Sequence, residues 1–201
     1  MKKVKWKGGA LISPVPSVMV TCGTIQKPNV ITIAWTGIIN TNPPKTYISV
    51  RPSRFSYQII KETKEFVINL TTADLVRAAD FCGVRSGKDC DKLKLMNLTV
   101  QPASDVNVPL LEQSPVNLEC RVNDIIPLGT HDMFIADIVA VNVAEELIDK
   151  TGKLCLDKCS LIAYSHGEYF ELGRKLGKFG FSVKKNKKKR KLNSENKNRN
   201  T

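Results

Sequence analysis

Ser49, Arg51, Ser53 and Ser56 cluster where a β-like run gives way to helical spacing, bringing three hydroxyls and a guanidinium to the start of a predicted helix. Free backbone amides and the positive end of the helix dipole attract anions at such a place, so the group makes a pocket for a phosphate. The same residues also read as an ordinary cap, with Ser53 at the N-cap and Arg51 solvated. Lys92 is a cation within a charged stretch, either free in solvent or set against an anion. Cys155, Cys159 and His166 are three potential zinc ligands, but no paired CxxC knuckle accompanies them, and packing of small side chains is the expectation. His131 and His166 are the only histidines.

The common chemical signatures are absent. No GxxxxGK[ST] phosphate loop and no GxGxxG after a predicted strand occurs, and GxSxG and HExxH are also missing. The net charge of +12 sits at the two ends. Residues 183–201 hold nine Lys/Arg and one Glu, Lys2, Lys3, Lys5 and Lys7 supply the remainder, and residues 8–182 are formally neutral. A basic nucleic-acid-binding face on the folded part is therefore not indicated. Six scattered cysteines suit reduced thiols, Pro14 and Pro16 interrupt any signal-peptide core, and no apolar run is long enough to span a membrane. A cytoplasmic protein without membrane or nucleic-acid partners is the expectation.

These residues need elements to position them. Ser17 to Gly23 and Val30 to Trp35 read as a hairpin across Gln26-Lys27-Pro28-Asn29, and Thr46 to Val50 as a third strand after Asn42-Pro43-Pro44. A short helix follows to about Thr63, then a strand at Glu65 to Leu70 and an amphipathic helix at Ala73 to Phe81 that Gly83 to Gly87 should end. Residues 88–98 give no clear signal. Two long β runs, from Val116 and from Met133, flank Gly129-Thr130-His131, the second apolar on both faces, and residues 160–170 add a last strand. Many strands, few short helices and no βαβ rhythm predict a mainly β chain, an antiparallel barrel with its helices outside. One domain is expected over 1–182, with 183–201 a disordered basic tail.

Asn29-x-x-Thr32-x-Ala34-Trp35, Pro43-Pro44, Ser49-x-Arg51-Pro52-Ser53-x-x-Ser56, Phe81-Cys82-Gly83-x-x-Ser86-Gly87-x-x-x-Asp91-Lys92 and Gly129-x-His131-x-x-Phe134-Ile135 occur in this order. With them the chain, from Pro14 to about Tyr169, resembles the flavin reductase-like FMN-binding split-barrel family, and within it the flavoredoxins. The resemblance implies an antiparallel split β-barrel that binds FMN noncovalently as a homodimer. It also implies an FMN-dependent oxidoreductase or electron carrier. NADH or NADPH is the possible donor, and a flavin, a metal or a redox protein the acceptor. A flavin-binding protein without reductase activity is the alternative, as is a module anchored to nucleic acid through the basic tail.

By resemblance the flavin contacts are Asn29, Trp35, Ser56, Lys92, His131 and Tyr164. Ser49, Arg51 and Ser53 join Ser56 around the phosphate, while backbone groups of Ile33, Ala34 and Thr36 meet the ring edge. Each has a plainer reading: core packing for Trp35 and Tyr164, a structural histidine at 131, an exposed lysine at 92. No catalytic side chain is implied, because the flavin carries the chemistry. Cys82 and Cys90 are expected to be bystander thiols.

Overall fold

The computed structural model describes residues 1–183. The expected disordered tail lies outside the described residues, apart from Val183. Strands β1 (Val15–Pro16), β2 (Val18–Thr24), β3 (Lys27–Ile33), β4 (Thr36–Thr41) and β5 (Pro44–Val50) open the chain. Helix α1 (Phe55–Thr63), strand β6 (Glu65–Leu70), helices α2 (Val76–Val84) and α3 (Lys92–Leu95) and short strands β7 (Val100–Gln101) and β8 (Leu110–Leu111) follow. The long strands β9 (Val116–Pro127) and β10 (Asp132–Val143) precede a terminal hairpin, β11 (Ile162–Ser165) and β12 (Glu168–Glu171).

Seven strands form one sheet in the order β3-β2-β6-β9-β10-β5-β4, every neighbouring pair antiparallel. Its two outer strands are consecutive in sequence. β3 ends at Ile33 and β4 begins at Thr36, so the sheet curls until its edges meet at Ala34-Trp35. The Ser49 amide donates to the Trp35 carbonyl at 2.9 Å and ties this corner to β5. Register shifts between β9 and β10, at Ile135/Ala136 and Ile138/Ala140, add the local bend that a curled sheet needs. The fold is the expected mainly β split barrel.

Alternation decides which side chains fill it. Val18, Val20 and Cys22 of β2, Ile31 and Ile33 of β3, Phe66 and Ile68 of β6 and Phe134 of β10 meet in one buried cluster. Tyr57 and Ile60 of α1 belong to that same cluster. This corrects the expectation that the helices lie outside: α1 closes one end of the barrel, while α2 and α3 do pack outside. There Met19 and Val30, pointing the other way along β2 and β3, meet Leu75, Ala79, Cys82 and Leu93. β2 is therefore covered on both faces.

Three local expectations change. Arg54, in extended backbone and without a side-chain cap bond, is the N-cap of α1 in place of Ser53. α1 stops where Lys64 turns left-handed at φ 58° and donates to the Ile60 carbonyl. α2 runs through Gly83 to Val84, because that glycine lies against β3: a Cβ there would sit 3.3 Å from Thr32 Cβ. Residues 160–170 form a hairpin in place of one strand, joined to β1 in a separate three-stranded sheet.

Candidate functional site

A cleft of about 420 Å³ opens at the barrel corner. Ile33, Ala34 and Trp35 line it where β3 turns into β4, with Ser49, Val50 and Arg51 from the end of β5. Trp35 is 45% exposed, so it is not the core residue its composition suggested. Its ring lies 4.5 Å, centroid to centroid, from His131. Arg51 Nε donates to His131 Nε2 at 3.4 Å, which leaves the proton on Nδ1, 3.0 Å from Thr130 Oγ1. Burial, then the Arg51 and Arg54 charges, hold the imidazole below its ordinary pKa and therefore neutral at pH 7.

The opposite wall comes from α2 and the terminal hairpin. Asp80, Gly83 and Val84 face Tyr164, Gly167 and Tyr169 around the mouth. Tyr169 donates to Asp80 Oδ1 at 3.2 Å and packs edge-on against Tyr164 at 5.3 Å. Burial and the Asp80 carboxylate push the Tyr169 phenol up to about 12, so it remains a donor. Thr32 Oγ1 donates to the Ala79 carbonyl at 2.5 Å, fixing α2 to the barrel.

Ile31, Arg51 and Arg54 also line a second, smaller cavity of about 190 Å³, so the two are adjacent. This cavity gathers Arg51, Arg54, Arg85 and Lys92 with the hydroxyls of Ser53 and Ser86, and no acidic side chain lines it. It lies at the start of α1, whose first amides, on Phe55 and Ser56, point out of the helix. Four cations, free amides and no carboxylate are a donor set suited to an anion.

Lys92 is not the exposed lysine its surroundings suggested. It is 4% exposed, and Nζ donates to the carbonyls of Cys82 at 3.0 Å and Arg85 at 3.1 Å, capping the C-terminal end of α2 with a cation. Burial lowers its pKa. Asn29 and Ser56 are buried against each other: Asn29 Nδ2 donates to Ser56 Oγ at 2.7 Å and to Cys22 Sγ at 3.6 Å. They join the β2–β3 hairpin to the first turn of α1.

The cleft thus brings together Ala34, Trp35, Ser49, Arg51, His131 and Tyr164, and the anion cavity gathers Arg51, Ser53, Ser56 and Lys92. Asn29 stands just behind. The Thr36 side chain lines neither space, because its hydroxyl donates to the Tyr47 carbonyl at 2.6 Å between β4 and β5. Sequence reasoning missed Arg54, Arg85, Ser86, Asp80 and Tyr169. Arg54 lies inside the Arg-Pro-Ser-Arg run and Arg85-Ser86 inside the Phe-Cys-Gly motif, so both signals were present. Cys82 lines the anion cavity, where burial raises its thiol to about 11 and keeps it protonated. All six cysteines are free. Cys159 packs with Val116 and Leu147, and no metal-like group of His, Cys, Asp or Glu occurs among the described residues. No helix among them is long and apolar enough to cross a membrane.

Comparison with known proteins agrees with this architecture. The model of the flavin reductase like domain matches residues 11–173. The flavoredoxin of Desulfovibrio vulgaris (Miyazaki F) is 28% identical, superposes with a TM-score of 0.84, and the match covers 91% of this chain and all of that one. A flavoredoxin from Methanosarcina acetivorans is 26% identical with a TM-score of 0.81, over 92% of this chain and all of its own. The reductase component of an FADH(2)-dependent resorcinol hydroxylase from Rhizobium sp. is 25% identical over 130 residues, 64% of this chain and 70% of that protein. From its matched span, its fold and these relatives, the chain belongs to the flavin reductase-like domain family, with that family's split barrel and a flavin-related redox role.

Proposed function

We propose that this chain binds FMN noncovalently and serves as an FMN-dependent oxidoreductase or electron carrier. The observation that carries the reading is the carboxylate-free cavity with Arg51, Arg54, Arg85 and Lys92 at the start of α1, which shares Ile31, Arg51 and Arg54 with the cleft beside Trp35. FMN has a dianionic phosphate, a hydroxylated chain and a flat ring, and the donor set suits all three parts in that order. The phosphate would take the four cations, the Ser53 and Ser86 hydroxyls and the Phe55 and Ser56 amides. The ring would lie in the cleft beside Trp35, His131 and Tyr164, near the backbone of Ala34.

Bound there, FMN would supply hydride acceptance from NADH or NADPH and onward electron transfer to a flavin, a metal or a redox protein. The protein's part is to bind, orient and tune. Arg51 and Arg54 give the cleft a positive flank, which favours the more negative redox state of a ligand. Neutral His131, with Nε2 occupied by Arg51, positions that guanidinium and supports the Trp35 ring. The Tyr169–Asp80 hydrogen bond holds the terminal hairpin at the mouth and limits which donors approach.

The working unit is a homodimer in this reading. Ile38 and Ile39 on edge strand β4 are 62% and 48% exposed beside the cleft corner, an apolar edge suited to a second copy. The test is the visible spectrum of the purified protein, chromatography of any flavin released on denaturation, and anaerobic addition of NADH or NADPH, with light scattering for the dimer. Stoichiometric FMN that bleaches supports the oxidoreductase. FMN that stays oxidised with both nucleotides but bleaches with a reduced redox protein supports the carrier, and a protein that takes up no flavin overturns the proposal.

A further inference from the structure

Charge divides this chain into a body and two ends. Residues 13–171 hold 18 Asp/Glu against 15 Lys/Arg, a formal −3. Lys2, Lys3, Lys5 and Lys7 stand before them and Arg174, Lys175 and Lys178 after them, with no acid in residues 1–12 or 172–183. The sequence from Lys184 adds a net +8.

Each basic end also carries large apolar side chains that folding leaves uncovered. Val4, Trp6 and Ile12 are exposed at one end, and Leu176, Phe179 and Phe181 at the other; Trp6 keeps 73% of its surface in water and Leu176 84%. Residues 1–12 form no helix or strand, and residues 172–183 only the short turn Phe181–Val183. In Lys3-Val4-Lys5-Trp6-Lys7 the two kinds alternate, so an extended chain puts Val4 and Trp6 on one side and three ammonium groups on the other.

The fold brings both ends to one small sheet. Ser13 Oγ donates to Ser165 Oγ at 2.7 Å, at the end of β11, and the Leu172 amide donates to the Leu161 carbonyl at 2.9 Å, just before its start. Four residues of extended chain separate these anchors, about 13 Å. Lys175 also pairs with Asp157, which braces the second segment against the body.

Charge selects what covers these segments. A second copy would bring two sets of like-charged ends together. A nucleic acid would satisfy the cations but leave the aliphatic side chains in water. An anionic bilayer takes both, because its headgroups attract the cations while its interface accepts aromatic and aliphatic groups, with lysine heads kept in water.

We infer that the two ends attach this protein peripherally to an anionic lipid bilayer, with Trp6, Leu176, Phe179 and Phe181 entering the interface and the neighbouring Lys and Arg meeting the headgroups. This replaces the sequence expectation of no membrane partner. It needs no spanning helix, because such a protein lies on the surface. It is independent of the flavin site.

The experiment sediments the full chain with vesicles of phosphatidylcholine alone and with about 30% phosphatidylserine, and records tryptophan emission with each. Binding is expected to the mixed vesicles only, with a blue shift of emission that is absent in Trp6→Ala; that variant should bind about tenfold more weakly. One cation near such a surface is worth about fivefold, so the triple variant Lys3→Gln, Lys5→Gln, Lys7→Gln should lose about 100-fold. Both variants alter an exposed segment outside the sheets, and native circular dichroism checks their fold. Equal binding to the two kinds of vesicle, or binding to neither, overturns the inference. Unchanged vesicle binding in Trp6→Ala also overturns it, leaving an attraction of cations alone that a double-stranded DNA probe would meet equally well. A dimer in buffer that light scattering finds monomeric in Trp6→Ala would overturn it too, assigning the segment to a second copy.

Discussion

Replacing Lys92 by methionine separates the two tasks of this buried cation. Methionine keeps much of the length and packing but donates nothing, so the carbonyls of Cys82 and Arg85, now 3.0 and 3.1 Å from Nζ, lose that donor. Each buried acceptor left without a donor costs about 1–3 kcal/mol. Removal of the ammonium also recovers its desolvation penalty, of the order of several kcal/mol, which is the cause of its lowered pKa. The two oppose, and a net loss of about 1–2 kcal/mol in unfolding free energy is expected. Affinity for phosphate has no such compensation. Loss of one charge-assisted hydrogen bond, worth about 1.5–3 kcal/mol, weakens FMN by about 10- to 150-fold. Riboflavin, which lacks the phosphate, should change by less than about threefold. The assay is fluorescence titration with both flavins, alongside urea unfolding of natural and variant protein. Equal weakening of FMN and riboflavin would show that Lys92 only braces the loop after α2, and unchanged FMN affinity would refute its place in the anion site.

Other expectations concern neighbouring residues. Trp35→Ala should lower flavin affinity by about tenfold while moving stability by less than about 1 kcal/mol, because a half-exposed ring contributes little to the core; circular dichroism melts and flavin titration check this. Gly87→Ala should cost about 1–3 kcal/mol by urea unfolding, since its Cβ would collide with an Asn29 side chain already fixed by Ser56 and Cys22. Glu119 is fully buried; burial alone would raise its pKa, but the amides of Ser104, Asp105 and Val106 and the Asn142 side chain outweigh it and bring it below 4.5. A depressed carboxylate stabilises the fold above its unfolded value and loses that contribution as pH falls through its folded value. Glu119→Gln should therefore lose about 1–3 kcal/mol at neutral pH, and the difference from the natural chain should shrink below pH 4.5, as read from urea midpoints at both pH values.

Much of this was legible before the structure. The β-rich runs of β2, β3, β6, β9 and β10 gave their existence, but not their inward faces, because β2 and β6 are buried on both sides and carry no period-two burial to read. β4 was hidden, since Ile38 and Ile39 face outward and the run Thr36–Thr41 lacks a buried alternation to betray it. Four-residue α3 was too short to have a period. At the site, the cation- and hydroxyl-lined start of α1 was readable from one serine- and arginine-rich run, but Arg85 reaches the same cavity from the end of α2, an encounter no local pattern encodes. Lys92 looked solvated because its sequence neighbours are charged. Its burial comes from the fold of the chain over the end of α2. Asn29 and Ser56, 27 residues apart, were each expected by resemblance to contact the flavin, Ser56 at its phosphate, whereas their bond to each other was not expected.

The small sheet of β1, β11 and β12 pairs Val15 with Tyr164, so one wall of the cleft depends on contact between nearly opposite ends of the folded chain. Such a contact closes a loop of most of the polypeptide and carries a high entropic cost in the approach to the native state. The barrel can assemble from shorter-range pairings before that hairpin docks, and the mouth residues Tyr164 and Tyr169 arrive with it. During synthesis the cleft is therefore completed only once residues beyond 160 have left the ribosome.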